Sequence, residues 1–213
     1  MRPAGLLLAA GAGRRMGRPK ALVELAGVPL VLRALRALAD GGCAPLLVVV
    51  GAGSEEVTAL VAGDARVVTA PDWADGMGAS LRAGLAALSG SAGAGIEAAA
   101  EQRPVDAALV HLVDLPGVGP SAIARLCAVC DGPDVLVRAG YQGKPGHPVL
   151  LGRSHWDGVR AAATGDVGAR DYLAGHPALR LVECGDIADP RDVDTPGALA
   201  WFAAGGAGVS STG

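Results

Sequence analysis

The sequence predicts an α/β domain built on a mostly parallel central sheet. Three observations predict it. Apolar runs of strand length alternate with stretches of helical period; the runs are near-continuous in Leu, Val and Ala; and glycine-rich loops follow several of them. A strand apolar on both faces is covered on both faces, which is how parallel sheets read, and alternating β and α elements build such a layered domain.

Residues 4–9 form the first strand-like run. Met1-Arg2-Pro3 precedes it and Arg14, Arg15 and Arg18 follow. A signal peptide carries its charges first, so the run reads as a buried strand. Residues 29–39 follow as a helix, with Leu30, Ala34, Leu35 and Leu38 at helical spacing and Arg33 and Arg36 on the other side. Strands are then expected at 45–50, 65–69, 106–113 and 134–139, and helices at 55–61, 77–88 and 121–129. Residues 89–103, rich in Ala, Gly and Ser, are expected to be a mobile loop or a frayed helix end. After about residue 140, Gly143, Pro145, Gly146 and Pro148 interrupt the chain, and shorter elements lead to a last helix near 198–203. The reading is one domain over 1–204 and a disordered tail over 205–213.

Composition narrows the function classes. With 51% hydrophobic but only 3% aromatic residues, the core must be made of Ala, Val and Leu. A net charge of −3 argues against a nucleic-acid partner. No run of eighteen apolar residues occurs, so no membrane association is expected. Four cysteines are too few for a disulfide framework, and the expected compartment is the cytoplasm. Cys127 and Cys130 form a CxxC only in name, because they lie in an expected helix with no second pair.

In open α/β sheets, ligands bind at the carboxyl ends of the strands. The loop after the first strand, Leu8-Ala9-Ala10-Gly11-Ala12-Gly13-Arg14-Arg15-Met16-Gly17-Arg18-Pro19-Lys20, brings small residues together with four cations between Arg14 and Lys20. Exposed backbone N–H groups in such a turn form an anion nest, and the cations supply the charge a triphosphate requires. The P-loop pattern fails here, because Pro19 precedes Lys20 and Ala21 follows it. The dinucleotide fingerprint fails too, because one extra residue separates its last glycine, Gly17. Asp114 ends the most hydrophobic run, within His111-Leu112-Val113-Asp114-Leu115-Pro116. It is either a turn cap or an acid that faces a crevice, pairs or binds a metal, and a lone acid at a strand tip suits Mg²⁺. In Asp192-Val193-Asp194-Thr195-Pro196, Asp194 or Thr195 is a candidate N-cap for the last helix. Gly76, Met77 and Ser80 open a helix, as a base-contacting N-terminus or a plain capping turn.

The first of these segments resembles the signature of the molybdopterin nucleotidyltransferase family, Leu-Ala-Ala/Gly-Gly-x-x-x-Arg-Met-Gly-x-x-Lys. Asp114-x-Pro116 and Asp192-x-Asp194-Thr195-Pro196 resemble its acidic motifs, although Val113 stands where many relatives have Gly. Gly143-Lys144-Pro145-Gly146-His147-Pro148 and Gly165-Asp166-Val167-Gly168-Ala169-Arg170 are similar to its molybdenum-cofactor cytidylyltransferase branch. The resemblance implies a Rossmann-like three-layer sandwich of the nucleotide-diphospho-sugar transferase type. It implies transfer of CMP from CTP to a molybdopterin-type acceptor with release of pyrophosphate.

The residue roles implied are these. Lys20, Arg15 and Asp114 are catalytic, and Asp114 and Asp194 hold Mg²⁺, with Asp192 a substitute. Leu8, Ala9, Ala10, Gly11, Gly13, Arg14, Gly76, Met77 and Ser80 bind the nucleotide. Lys144, His147, Asp166 and Arg170 shape the acceptor side, where His147 between Gly and Pro also reads as a turn residue. CTP is favoured over GTP because Ala10 adds a methyl where guanylyl relatives have a second glycine. A client molybdoenzyme is an implied partner. The rivals are another phosphorylated acceptor such as a sugar or polyol phosphate, a nicotinamide-dependent oxidoreductase, and a non-enzymatic nucleotide-binding chaperone. As an exposed loop charge, Lys20 is expected to matter for turnover and hardly for stability.

Overall fold

The computed structural model describes residues 1–90 and 105–206. The readings of 89–103 as a loop and 205–213 as a tail fall mostly outside the described residues.

The first apolar run is β1, Ala4–Leu8, buried at every position. Its side chains alternate between two cores. Leu7 joins Leu35, Leu38 and Ile123 on one side, and Leu6 and Leu8 join Leu85, Val110 and Trp156 on the other. Two-sided burial is the physical reason for a run without polar alternation, and each buried Leu contributes roughly 1.5–3 kcal/mol. A small hairpin of β2, Glu24–Leu25, and β3, Val28–Pro29, leads into α1, Leu30–Asp40. Then come β4, Leu46–Val50; α2, Ser54–Val61; β5, Arg66–Thr69; and α3, Met77–Leu88. The described chain resumes with β6, Ala107–Leu112, and α4, Pro120–Cys127.

β7, Leu136–Tyr141, and β8, Lys144–Gly152, form a hairpin, followed by α5, Trp156–Ala162; α6, Arg170–Leu173; β9, Arg180–Glu183; and α7, Pro196–Ala203. The seven-stranded sheet has the order β5-β4-β1-β6-β8-β7-β9, and β8 runs against its two neighbours while the other pairings are parallel. Helices cover both faces, giving the three-layer α/β sandwich that the sequence predicts.

Strand β8 is the main departure. Its prolines and glycine read as loop, yet it runs nine residues. Only its Val149–Gly152 half pairs with β6, so Pro145 and Pro148 lie beyond the ladder on that side, where no N–H is required. Gln142 and Gly143, both with positive φ, make the two-residue turn.

The chain moves outward from β1 through β4 to β5, then returns to place β6 on the other flank of β1. That reversal opens a crevice beyond the carboxyl ends of β1 and β6.

Candidate active site

A cavity of about 510 Å³ fills the crevice, with Leu8 and Leu112 from the strand ends at its base. Its rim is the loop from Ala10 to Lys20. Gly13 takes a left-handed φ of 60°, and a Cβ there would collide with the Arg18 carbonyl, so the turn requires glycine. Among the described residues, the backbone N–H groups of Gly11, Ala12 and Gly13 donate to no other backbone group, while the Lys20 N–H closes the loop onto the Gly11 carbonyl at 3.3 Å. The loop therefore presents free donors beside Arg14 and Arg15, which also line the cavity. Ala9 does not reach it. The pleat turns its side chain into the core at 0% exposure, and its N–H is spent on Val49.

The opposite wall is the N-terminus of α3. Gly76 precedes it with φ 111°, and no side chain caps the first turn, so the helix end faces the cavity with Met77 and Ser80. A Cβ on Gly76 would meet Gly165 and Asp166. Trp73, which the sequence reading passed over, completes this wall.

At the floor, the ammonium of Lys20 sits between two carboxylates. It donates to Asp114 Oδ2 at 2.6 Å and to Asp194 Oδ1, while Arg15 reaches Asp194 Oδ2 at 3.3 Å. Burial pulls the Lys20 ammonium down, but the two carboxylates outweigh it and hold its pKa above the ordinary value. Hydrogen bonding to Lys20 holds the Asp194 carboxyl below the usual range. Burial, with Asp194 and Asp114 nearby, pushes the Asp192 carboxyl up. Lys20 is thus no exposed loop charge; its side chain is 21% exposed.

A hydrogen bond decides which residue caps α7. Thr195 is the N-cap of α7, its Oγ1 accepting from the Ala198 N–H at 3.2 Å, which leaves Asp194 to face the cavity. Asp114 accepts from Lys20. Asp114 and Asp194 bring anionic oxygens to one point beside a phosphate-sized cradle, a donor set that fits a hard divalent cation completed by water and phosphate oxygens. Asp192 lines a neighbouring cavity instead.

A model of the MobA-like NTP transferase domain matches residues 5–181. The chain belongs to the MobA-like NTP transferase family. It is a nucleotidyltransferase in class, and the family resemblance carried by the glycine-rich and acidic motifs stands. One relative of this MobA-like chain, the nicotine blue oxidoreductase of Paenarthrobacter nicotinovorans, is 36% identical over 201 residues, covering 90% of this chain and 91% of that one. The molybdenum cofactor guanylyltransferase of Rhodobacter capsulatus is 69% identical over 35 residues, covering 16% and 18% of the two chains. Among solved structures, Rv0371C of Mycobacterium tuberculosis in complex with manganese superposes with a TM-score of 0.73 at 23% identity, covering 96% of this chain and 99% of that one.

The four residues expected on the acceptor side of this MobA-like chain divide into two groups. Lys144 and His147 line a second cavity of about 730 Å³, which meets the first at Leu112 and Asp114. His147 lies in β8, not in a turn. Asp166 stands at the first cavity against Gly76, and Arg170 lines a third cavity of about 200 Å³ behind it. The second cavity also holds Arg191, which sequence reasoning missed. Its guanidinium lies 3.4 Å from the Trp201 ring centroid and pairs with Asp189 at 2.5 Å. An Arg two residues after an Asp in a loop has no sequence signature of its own. Cys127 lies 3.7 Å from Cys43 rather than pairing with Cys130, and all four cysteines are free.

Proposed function

We propose that this chain transfers CMP from CTP to the terminal phosphate of a molybdopterin-type acceptor, with Mg²⁺ and release of pyrophosphate. The observation that carries the reading is the placement of Lys20 between Asp114 and Asp194 at the lip of the donor-rich Gly11–Gly13 turn. The 35-residue identity with a molybdenum cofactor guanylyltransferase supports the acceptor class. Manganese in the complex of the structural neighbour supports a divalent ion.

In this mechanism the free N–H groups of the turn and Arg14 receive the phosphates, and Arg15 holds the departing β- and γ-phosphates. The acceptor phosphate attacks the α-phosphorus, the bond from that phosphorus to the β-phosphate oxygen breaks, and pyrophosphate leaves. Lys20 neutralises charge that grows on the α-phosphate. Mg²⁺ held by Asp114 and Asp194 would supply charge neutralisation across the phosphates. The chain contributes position and charge without a covalent nucleophile. Ala10 narrows the base side towards CTP, and Lys144 and His147 face the acceptor.

The test is pyrophosphate release, screened over four nucleoside triphosphates with Mg²⁺ or Mn²⁺ and a molybdopterin acceptor. Release with CTP dependent on acceptor is expected. No release with any triphosphate would sink the reading.

A second reading has one observation in its favour: the relative from Paenarthrobacter nicotinovorans, alike along nine-tenths of both chains, is named an oxidoreductase. Against it stand the glycine spacing, which departs from the dinucleotide fingerprint, and four cations in the turn. Acceptor-dependent oxidation of a reduced nicotinamide, without pyrophosphate release, would favour this alternative.

A further inference from the structure

The 200 Å³ cavity beside the nucleotide site is walled by Leu81, Val149, Leu151 and Leu173. It opens to the nucleotide cavity at Leu8, Met77 and Asp166, and His147 is shared with the acceptor cavity. Into this apolar space β7 brings Arg138. Its Nε donates to the Gly146 carbonyl at 3.2 Å, a bond that fixes the plane of the guanidinium. Among the described residues its two terminal nitrogens make no hydrogen bond and no carboxylate lies within ion-pair distance.

Arg138 is half-buried, and although Asp166 lines the same cavity no carboxylate lies in ion-pair contact with it, so its guanidinium gives up part of its hydration with no partner to return it. Burial accordingly lowers the pKa of Arg138 from its ordinary value. Burial and the neighbouring Arg138 push the His147 imidazole down to about 4, so at neutral pH it adds no second positive charge. A planar oxyanion meets the free fork of an Arg with two parallel hydrogen bonds. The apolar walls add a condition: the oxyanion must arrive on an apolar carrier, because a free hydrated anion gains nothing from Leu81 or Leu173.

We propose that Arg138 anchors a binding subsite, separate from the one that takes the acceptor phosphate, for a planar oxyanion of the carboxylate class carried on an apolar ligand.

The experiment uses the full chain and three probes: benzoate, toluene and inorganic phosphate. Binding is followed by NMR titration, and CTP binding is followed in parallel by calorimetry. Benzoate is expected to bind, and Arg138→Gln to weaken it at least tenfold, with Arg138→Lys intermediate because it keeps charge and loses the fork. CTP affinity is expected to change less than twofold in both variants. Equal benzoate affinity in Arg138→Gln would overturn the proposal, as would toluene or phosphate binding as tightly as benzoate. If Arg138→Gln fails to fold, Arg138→Lys carries the same comparison. Pyrophosphate release from the wild type, scored separately, reports on nucleotidyl transfer whatever the probes do.

Discussion

The backbone N–H of Val193 donates to the carbonyl of Asp114 at 2.8 Å, joining the tip beyond β6 to the segment before α7. The Val193 side chain is fully buried, so the extended chain turns its two neighbours outward. Asp194 faces the first cavity and Asp192 the second. One buried valine thus sets which acid meets Lys20.

Lys20→Ala is expected to lower turnover about 10²–10³-fold, by analogy with loss of one preorganised donor to a developing anion. It also leaves Asp114 without its cation and Asp194 with Arg15 alone. A stability loss of about 1–2 kcal/mol follows, discounted for partial exposure. Steady-state pyrophosphate release and urea unfolding measure the two effects. Near-normal turnover would remove Lys20 from the mechanism.

Asp194→Asn and Thr195→Ala separate two adjacent roles. Loss of one anionic ligand is expected to raise the Mn²⁺ concentration for half-maximal activity roughly tenfold. Loss of the cap is expected to cost about 1 kcal/mol of stability with little change in metal demand. Identical metal titrations for wild type and Asp194→Asn would contradict the ligand role.

Ala10→Gly removes a methyl from the cavity wall. The CTP-to-GTP ratio of kcat/KM is expected to fall roughly tenfold, the scale of one methyl in a fitted pocket. A ratio that does not move, in competition assays with both triphosphates, places the base discrimination elsewhere.

His111 is the penultimate residue of β6, 1% exposed, with Nδ1 unpartnered and its pKa pushed down to about 3 by burial and then by His147. The folded form holds this imidazole neutral and the unfolded chain protonates it near its ordinary 6.5. Between those values the unfolded state binds the extra proton, so its contribution is complete above 6.5 and lost as pH falls towards 3. His111→Leu is expected to flatten the pH dependence of urea unfolding in that window, by up to about 1.4 kcal/mol per pH unit. An unchanged slope would refute the assignment.

Much of the fold is legible in the sequence because its signals are local. The five expected strands, found as β1, β4, β5, β6 and β7, and the helices among them lie within two residues of their expected ends, and α3 coincides with residues 77–88, whereas the short β2–β3 hairpin was not expected. β8 was illegible because its prolines are tolerated only by the staggered end of β6, which no local window contains. Arg138 read as one residue in a strand; only its setting among Leu81, Val149 and Leu151 makes it unusual.

The glycine turn, the cations that follow it and the acids at two chain tips are written in the sequence. Backbone conformation and charge at those points depend on neighbours a few residues away. The tertiary structure alone decided that Thr195 caps α7 while Asp194 is left to Lys20, that Asp192 serves a different cavity, and that Asp166 stands against Gly76. These outcomes depend on which distant segments hydrogen-bond and which side chains are buried, and chain separation carries no information about either.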